Sequence, residues 1–224
     1  MTWRVAVVVF DGVDILDFCG PTEVLTSFYH DDDRERRDSI FKPSVIGANP
    51  TIRSGKALTV STDLTIDDAT ESIQDFDILI VPGGQPSIIT GMIEQKHPIL
   101  RVIEAFTRQG SKPGSGQRIV LSVCTGALFL AAAGAFKGMK VTTHHLALEI
   151  LRQIEPSAEV VSHTVGAGDG RYIDGGVNAN GVRVISAGGV TCGLDASLFI
   201  GELKAGREAA DYTARMLEHE WKRA

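Results

Sequence analysis

The chain has 224 residues, of which 43% are hydrophobic and 22% are charged, and its formal net charge is -6. These proportions are ordinary for a soluble globular protein, so they exclude a fibrous chain and an intrinsically disordered one. The negative net charge and the scattered Lys and Arg residues exclude the basic stripe or arm that marks a nucleic-acid-binding protein.

The start of the chain and its cysteines indicate where the protein works. Residues 1–10 lack the basic segment, long apolar stretch and cleavage site of a secretory signal peptide. No apolar run approaches the roughly 18 residues of a membrane span. Cys19, Cys124 and Cys192 are far apart and form no Cys-x-x-Cys pair. We therefore expect a cytoplasmic protein with reduced thiols, no bound metal, and no membrane or nucleic-acid partner.

Short apolar runs alternate with helical segments from one end of the chain to the other. The first run, residues 5–10, is continuous and rich in β-branched side chains, which is typical of a parallel strand buried on both faces. This alternation predicts one doubly wound α/β domain over residues 1–224, with a mostly parallel sheet sandwiched by helices. Further strands are predicted at residues 42–46, 78–81, 119–123, 140–143, 159–165, 171–174 and 182–185, with a small hairpin of residues 51–53 and 57–60.

Glycine, proline and charge patterns place the helices and loops. Gly20-Pro21 disfavours a regular helix before it, so the first helix is predicted from Pro21 to about Tyr29. Asp17 is then predicted in the loop that follows the first strand. Surface loops are predicted at the charged run 30–37 and the Gly-rich run 110–116, and later helices at 97–109, 144–154, 194–204 and 207–221.

The stretch Ser122-Val123-Cys124-Thr125-Gly126 joins an apolar strand directly to an Ala- and Leu-rich helix. Small residues two positions before and after Cys124 permit a sharp reversal, as in the G-x-S-x-G nucleophile turn. A thiol at this elbow projects toward the N-terminal end of the helix, whose dipole and unpaired N–H groups favour the thiolate. Cys124 is therefore predicted to be a nucleophile rather than an ordinary buried thiol.

Three groups follow the C-terminal ends of predicted parallel strands, where ligands bind in open α/β sheets. Asp17 follows the first strand, Gly83 and Gly84 follow the strand at 78–81, and Cys124 follows its own strand. The two glycines allow backbone N–H groups to approach a ligand closely. Chain reversal is expected to bring all three groups to one edge of the sheet.

These groups suggest a division of chemical roles. The N–H groups of Thr125 and of Gly84 or Gln85 are candidates for holding the negative charge that develops when the thiolate attacks carbon. Asp17 is expected either to orient a substrate or, if its apolar neighbours desolvate it, to keep a proton near neutral pH.

A pair of histidines supplies the candidates for a base. His144 and His145 begin the helix that follows the strand at 140–143. Their spacing does not decide which of them faces the elbow, and a histidine at a helix start often serves as a cap or packs in the core.

Taken together, these residues resemble the ThiJ/PfpI group of the class-one glutamine-amidotransferase-like fold. The resemblance runs from residue 5 to about residue 203, and it implies a flavodoxin-like sheet, a cysteine nucleophile and a homodimer. The motifs are Asp-Phe-Cys-Gly-Pro-Thr-Glu-Val-Leu (17–25), Val-Pro-Gly-Gly (81–84), Ser-Val-Cys-Thr-Gly (122–126), Lys-Val-Thr-Thr-His (140–144) and Ala-Gly-Gly-Val-Thr (187–191).

Within that group, the chain is most similar to isonitrile (isocyanide) hydratases. Asp17 stands where the deglycase and glyoxalase branch usually has Glu, and Thr125 stands where that branch has Ala and the peptidase branch has His. His145 is a departure, because hydratase-like sequences commonly have Trp there.

The hydratase resemblance implies cofactor-free addition of water to the carbon of a small-molecule isonitrile, R–N≡C, to give an N-substituted formamide. Cys124 would form a thioimidate, Asp17 would move protons and activate water, and Thr125 would position the reacting groups. Substrate contacts are expected from Gly83, Gly84, Gln85 and His144. Two alternatives stay open: glyoxalase or deglycase activity on methylglyoxal, and a non-catalytic sensor in which Cys124 is reversibly oxidised.

Overall fold

The computed structural model of the chain describes residues 2–29, 38–55, 57–111, 116–162 and 170–223. The predicted loop at 30–37 lies outside these ranges, as do parts of the predicted loop at 110–116 and of the predicted strand at 159–165. The elements are β1 (Trp3–Val8), α1 (Ile15–Thr26), β2 (Phe41–Gly47), β3 (Thr51–Ser54), β4 (Leu58–Ser61), β5 (Leu64–Thr65), α2 (Ile66–Glu71), β6 (Ile78–Val81), α3 (Pro86–Glu94), α4 (Ile99–Arg108), β7 (Ile119–Val123), α5 (Gly126–Ala132), β8 (Lys140–Val141), α6 (Leu148–Ile154), β9 (Glu159–Val160), β10 (Tyr172–Val177), β11 (Arg183–Ala187), α7 (Cys192–Ala205) and α8 (Arg207–Met216).

Seven strands form one sheet in the order β10-β11-β7-β6-β1-β2-β5. All neighbours are parallel except the edge strand β10, which runs antiparallel to β11. Every residue of the central strands β6 and β7 is buried, as expected where helices cover both faces of a sheet. The predicted fold class, a mostly parallel α/β sheet flanked by helices, is confirmed.

The connections place helices on both faces and reverse the direction of winding within the sheet. The chain passes from β1 through α1 to β2 on one side, and from β6 through α3 and α4 to β7 on the other side. Right-handed crossovers in opposite directions put α1 and α3 on opposite faces, and α7 packs beside α1. The direction of winding changes between β1 and β6. In α/β folds, ligands bind at the C-terminal ends of the two strands that flank such a change.

The first helix begins six residues earlier than predicted. α1 starts at Ile15 and contains Pro21, so Asp17 lies in its first turn and not in a loop. An interior proline costs a helix about 3 kcal/mol. Burial of Phe18 and Leu25, each contributing about 2 kcal/mol, offsets that cost.

Two further differences concern helix α3, which was not predicted, and the end of the last helix. Helix α3 has no counterpart among the predicted helices, because its interior Thr90 and Gly91 lower helix propensity; burial of Ile89 stabilises it instead. The last helix ends at Met216 and not at Trp221. No helix in the described part of the chain combines the length and apolar character that a membrane crossing requires.

A buried arginine just before β7 joins the sheet to residues 73–76 and to the C-terminal end of α4. Arg118 is 2% exposed, and its guanidinium donates hydrogen bonds to four backbone carbonyls while stacking 3.8 Å from the ring centroid of Phe106. Burial lowers the pKa of this group to about 10. The acceptors are the carbonyls of Ile73 (2.7 Å), Phe76 (3.0 Å), Phe106 (3.3 Å) and Gln109 (2.8 Å).

Arg118→Ala should lower the free energy of unfolding by at least about 3 kcal/mol, because it leaves several buried carbonyls without a donor. Urea denaturation followed by circular dichroism measures the change. The matched control is Arg101→Ala, which removes an exposed ion pair with Asp67 and should cost less than about 1 kcal/mol. Equal effects of the two substitutions would contradict this role of Arg118.

Candidate active site

Cys124 sits at a strained corner directly after β7. Its φ is 57°, in the left-handed region that residues other than glycine rarely adopt. Its N–H donates to the carbonyls of Ala187 (3.2 Å) and Gly188 (2.8 Å), and its own carbonyl accepts from Thr143 Oγ1 (2.8 Å). These bonds hold the strained backbone between β7 and β11. The predicted strand-to-helix elbow is present.

The corner is packed so closely that it requires glycine. A Cβ on Gly126 would overlap the carbonyl oxygen of Val81, and a Cβ on Gly83 would overlap Thr125 Oγ1. The end of β6 therefore lies directly against the first turn of α5. Glycine at these positions serves close backbone approach.

The sulfur of Cys124 is surrounded by two amides and a carboxyl group. The backbone amides of Thr125 and Val190 lie close enough to the sulfur to lower its pKa, and a carboxylate oxygen of Asp17 lies within 4.8 Å of it. Cys124 is only 4% exposed. Burial, together with the charge of Asp17, raises the pKa of the thiol to about 12, although the two amides lower it. The expectation of a resting thiolate is wrong, because desolvation outweighs the helix terminus.

Asp17 is fully buried at the start of α1 and points into the same space. Its Oδ2 accepts a hydrogen bond from the N–H of Gly83 at 3.0 Å, while its buried Oδ1 has no well-aligned partner in the described part of the chain. The pKa of this carboxyl is raised from 3.8 to about 7, first by burial and then by the charge of Asp14. The bonds from Gly83 and Cys124 oppose that rise. Asp17 therefore exchanges a proton near neutral pH.

Asp14, Asp17 and Cys124 form one compact acidic group. The carboxylate oxygens and the sulfur all lie within 4.8 Å of one another, so the three side chains are close enough to contact a single cation. Asp14 is accessible to solvent, whereas the other two residues are buried. The negative charges of both aspartates add to the effect of burial, so the thiol keeps its proton.

Thr125 ties the elbow to the glycine pair. Its Oγ1 donates to the carbonyl of Gly84 (2.7 Å) and accepts from the N–H of Gly84 (2.9 Å). The N–H groups of Gly83 and Gly84 are thus both engaged within the protein. This corrects the prediction that Gly84 supplies a free donor for developing charge. Gln85 is exposed at the start of α3, and none of the described hydrogen bonds joins it to the sulfur.

The structure distinguishes the two histidines. His144 is partly buried, and its ring lies against Gly189, where a Cβ would be 2.7 Å from Cδ2. Its Nδ1 accepts a hydrogen bond from the N–H of Leu146 (3.3 Å). His145 is exposed and stacks on His144 at 4.3 Å. His144 therefore lies beside the segment that contacts the sulfur.

Val190 is the site residue that sequence reasoning missed. The glycine pair at 188 and 189, directly after the buried strand β11, was the available signal. A β-branched residue gives no indication that its backbone has a φ of 35° and directs an N–H at a sulfur 66 positions earlier in the chain. The assembled site contains a buried thiol, a carboxyl with a raised pKa beside it and two backbone amides near the sulfur.

Comparisons with known proteins agree with this architecture. Drosophila melanogaster DJ-1beta has the same fold, with a TM-score of 0.71 at 17% identity, covering 99% of this chain and 100% of that one. A Streptomyces lividans protein, described only as lying in the cpoL 5′ region, is 32% identical over 142 residues, which cover 63% of this chain and 86% of that protein. The isonitrile hydratase of Pseudomonas putida is 28% identical over 224 residues, covering 98% of this chain and 79% of the hydratase.

The match to a protein family is more specific than the match of fold. The model of the DJ-1/PfpI family matches residues 3–177, a range that contains Asp17, the glycine pair at 83 and 84, and the elbow at Cys124. The chain belongs to the DJ-1/PfpI family.

Proposed function

We propose that this protein hydrates an isonitrile to an N-substituted formamide without a cofactor. The observation that carries the proposal is the buried pair of Cys124 and Asp17, in which a thiol lies beside a carboxyl whose buried Oδ1 has no hydrogen-bond partner in the described part of the chain. The similarity to an isonitrile hydratase over nearly the whole chain supports the same chemistry. The homodimer that the family resemblance implies stays a prediction.

An isonitrile carbon needs both a proton and a nucleophile. Asp17 takes the S–H proton and delivers it to the terminal carbon, while the sulfur of Cys124 bonds to that same carbon. The product is a thioimidate, R–N=CH–S–Cys. This step adds S–H across one carbon, so no oxidant, reductant or metal is consumed. The amides of Thr125 and Val190 stabilise the sulfur while it carries negative charge.

Hydrolysis then returns the thiol. Water, activated by the carboxylate of Asp17, bonds through oxygen to the thioimidate carbon, and the C–S bond breaks. One water proton ends on nitrogen and the other on sulfur, which gives R–NH–CHO and Cys–SH. Thr125 acts as a positioning residue through its two bonds to Gly84. His144, whose ring lies against Gly189 in the segment beside the sulfur, is the proposed substrate contact.

The burial of the thiol disfavours the redox-sensor alternative. Peroxide oxidises thiolates that solvent reaches, whereas Cys124 is 4% exposed with its pKa raised to about 12. The contacts described in this site do not favour the glyoxalase alternative over the hydratase.

The purified protein should convert a simple alkyl isonitrile into its formamide, detected by NMR. Cys124→Ala should lower kcat by at least about a thousandfold, because it removes the nucleophile. Asp17→Asn should lower it by about a hundredfold or more, because it removes the proton carrier. Cys19→Ala, which removes an exposed thiol from the same helix as Asp17, is the matched control and should retain activity.

Three experimental results would contradict the proposal. Methylglyoxal consumption without formamide formation would establish the glyoxalase alternative. Selective peroxide modification of Cys124 without either reaction would establish the sensor. Full activity in Cys124→Ala would remove the covalent mechanism.

The reaction should also show a pH dependence set by Asp17. The reactive pair holds one proton, which is the state between the pKa of Asp17 near 7 and that of Cys124 near 12. kcat/KM should therefore rise with pH up to about 7 and then level off. Asp14→Asn should move this limb to lower pH, because the charge of Asp14 raises the pKa of Asp17. A fall in kcat/KM as the pH rises through 7 would show that the doubly protonated pair reacts instead.

Asp17 should also make the fold less stable at neutral pH. The pKa of Asp17 is higher in the folded protein than in the unfolded chain. Its contribution to the free energy of unfolding is therefore fully present below about pH 4 and is lost as the pH rises toward 7. A shift of about three units corresponds to on the order of 4 kcal/mol. Asp17→Asn should remove this loss and raise the unfolding temperature at pH 8 but not at pH 4.

Thermal unfolding of Asp17→Asn at both pH values measures this effect. Asp67→Asn is the matched control, because that carboxylate is mostly exposed and its loss should change stability little at either pH. An unchanged pH slope in Asp17→Asn would contradict the raised pKa.

A further inference from the structure

The segment after β11 packs against Cys124, since the carbonyl of Gly188 accepts a hydrogen bond from the Cys124 N–H at 2.8 Å and the amide of Val190 lies near the sulfur. Val190 has a φ of 35°, and a β-branched side chain makes that conformation unfavourable. Such a backbone persists only where its surroundings hold it in place. Other groups must therefore hold residues 188–191 in the conformation that keeps the amide of Val190 near the sulfur of Cys124.

Arg171 holds the segment at both of its ends. Its backbone carbonyl accepts from the N–H of Gly188 at 2.8 Å. Its side-chain Nη2 donates to Thr191 Oγ1 at 3.1 Å. Val190 lies between these two attachment points, so a shift of Arg171 would move the sulfur-facing amide.

Arg171 is in turn held by a fully buried carboxylate. Asp195, in the first turn of α7, accepts from Arg171 Nε at 2.6 Å through Oδ2. Its Oδ1 accepts from the backbone N–H of Lys222 at 2.9 Å and lies 3.0 Å from His219 Nε2. The segment after α8 thus completes the set of partners around Asp195.

We propose that Arg171 and Asp195 are positioning residues, which keep the amide of Val190 directed at the sulfur of Cys124. Neither touches the reacting atoms. The planar guanidinium suits this task, since its Nε–H binds the carboxylate while an Nη2–H reaches the Thr191 hydroxyl. The effect on turnover rests on the proposed hydratase function, whereas the effect on the thiol does not.

Thr191 offers a clean test, because its side chain is exposed and its hydroxyl carries the attachment. Thr191→Val keeps the shape and removes the acceptor, and Thr191→Ser keeps the acceptor. Iodoacetamide alkylation of Cys124, followed by peptide mass spectrometry across a pH series, reports how well the thiolate is stabilised. Thr191→Val and Arg171→Met should slow alkylation at pH 8 by about tenfold, the effect of losing a hydrogen bond to a charged group.

The same variants should lower kcat for isonitrile hydration with little change in KM, and Thr191→Ser should behave like the wild-type protein. Arg183→Met is the matched arginine control, because it breaks a comparable pair with Asp174 at the far end of β11. Wild-type alkylation in Thr191→Val would overturn the proposal even if Arg171→Met failed to fold. Slowed alkylation in a protein whose wild type hydrates no isonitrile would overturn the proposed function and leave the positioning role intact.

Discussion

The site depends on a carboxyl group and a thiol that are buried against each other. Removing Asp17 and Cys124 from water penalises two negative charges at once, so the pair keeps at least one proton across the physiological pH range. In the proposed reaction that proton goes to the isonitrile carbon, and the sulfur that releases it acts as the nucleophile. The sheet, the elbow and the glycine contacts bring the two groups together and exclude solvent.

Much of this arrangement could be predicted from the sequence. The continuous apolar runs predicted β1, β6 and β7, and the small residues around Cys124 predicted the elbow, because each signal is local. The topology of a parallel sheet then predicted that Asp17 and the glycine pair would meet the thiol. The error in the start of α1 arose because a local proline rule was applied where buried side chains decide the outcome.

The remaining features depend on contacts between distant parts of the chain. The pKa of the Cys124 thiol was predicted to be lowered, whereas it is raised. A helix terminus can be recognised in a sequence, but the degree of burial cannot. The Val190 amide and the four carbonyls around Arg118 are equally hidden, because their partners come from other elements. Local patterns therefore predicted the nucleophile, and only the structure shows how its proton is held.

The two hydrogen bonds between Thr125 and Gly84 have a consequence for enzyme engineering. The position after the nucleophile differs between branches of the family, which makes it an inviting place to exchange specificities. Here the side chain is a tether between two loops, so transplanting another branch's residue would release the loop after β6 and loosen the support of Asp17. Conversion of one activity into another would have to redesign both loops as a unit.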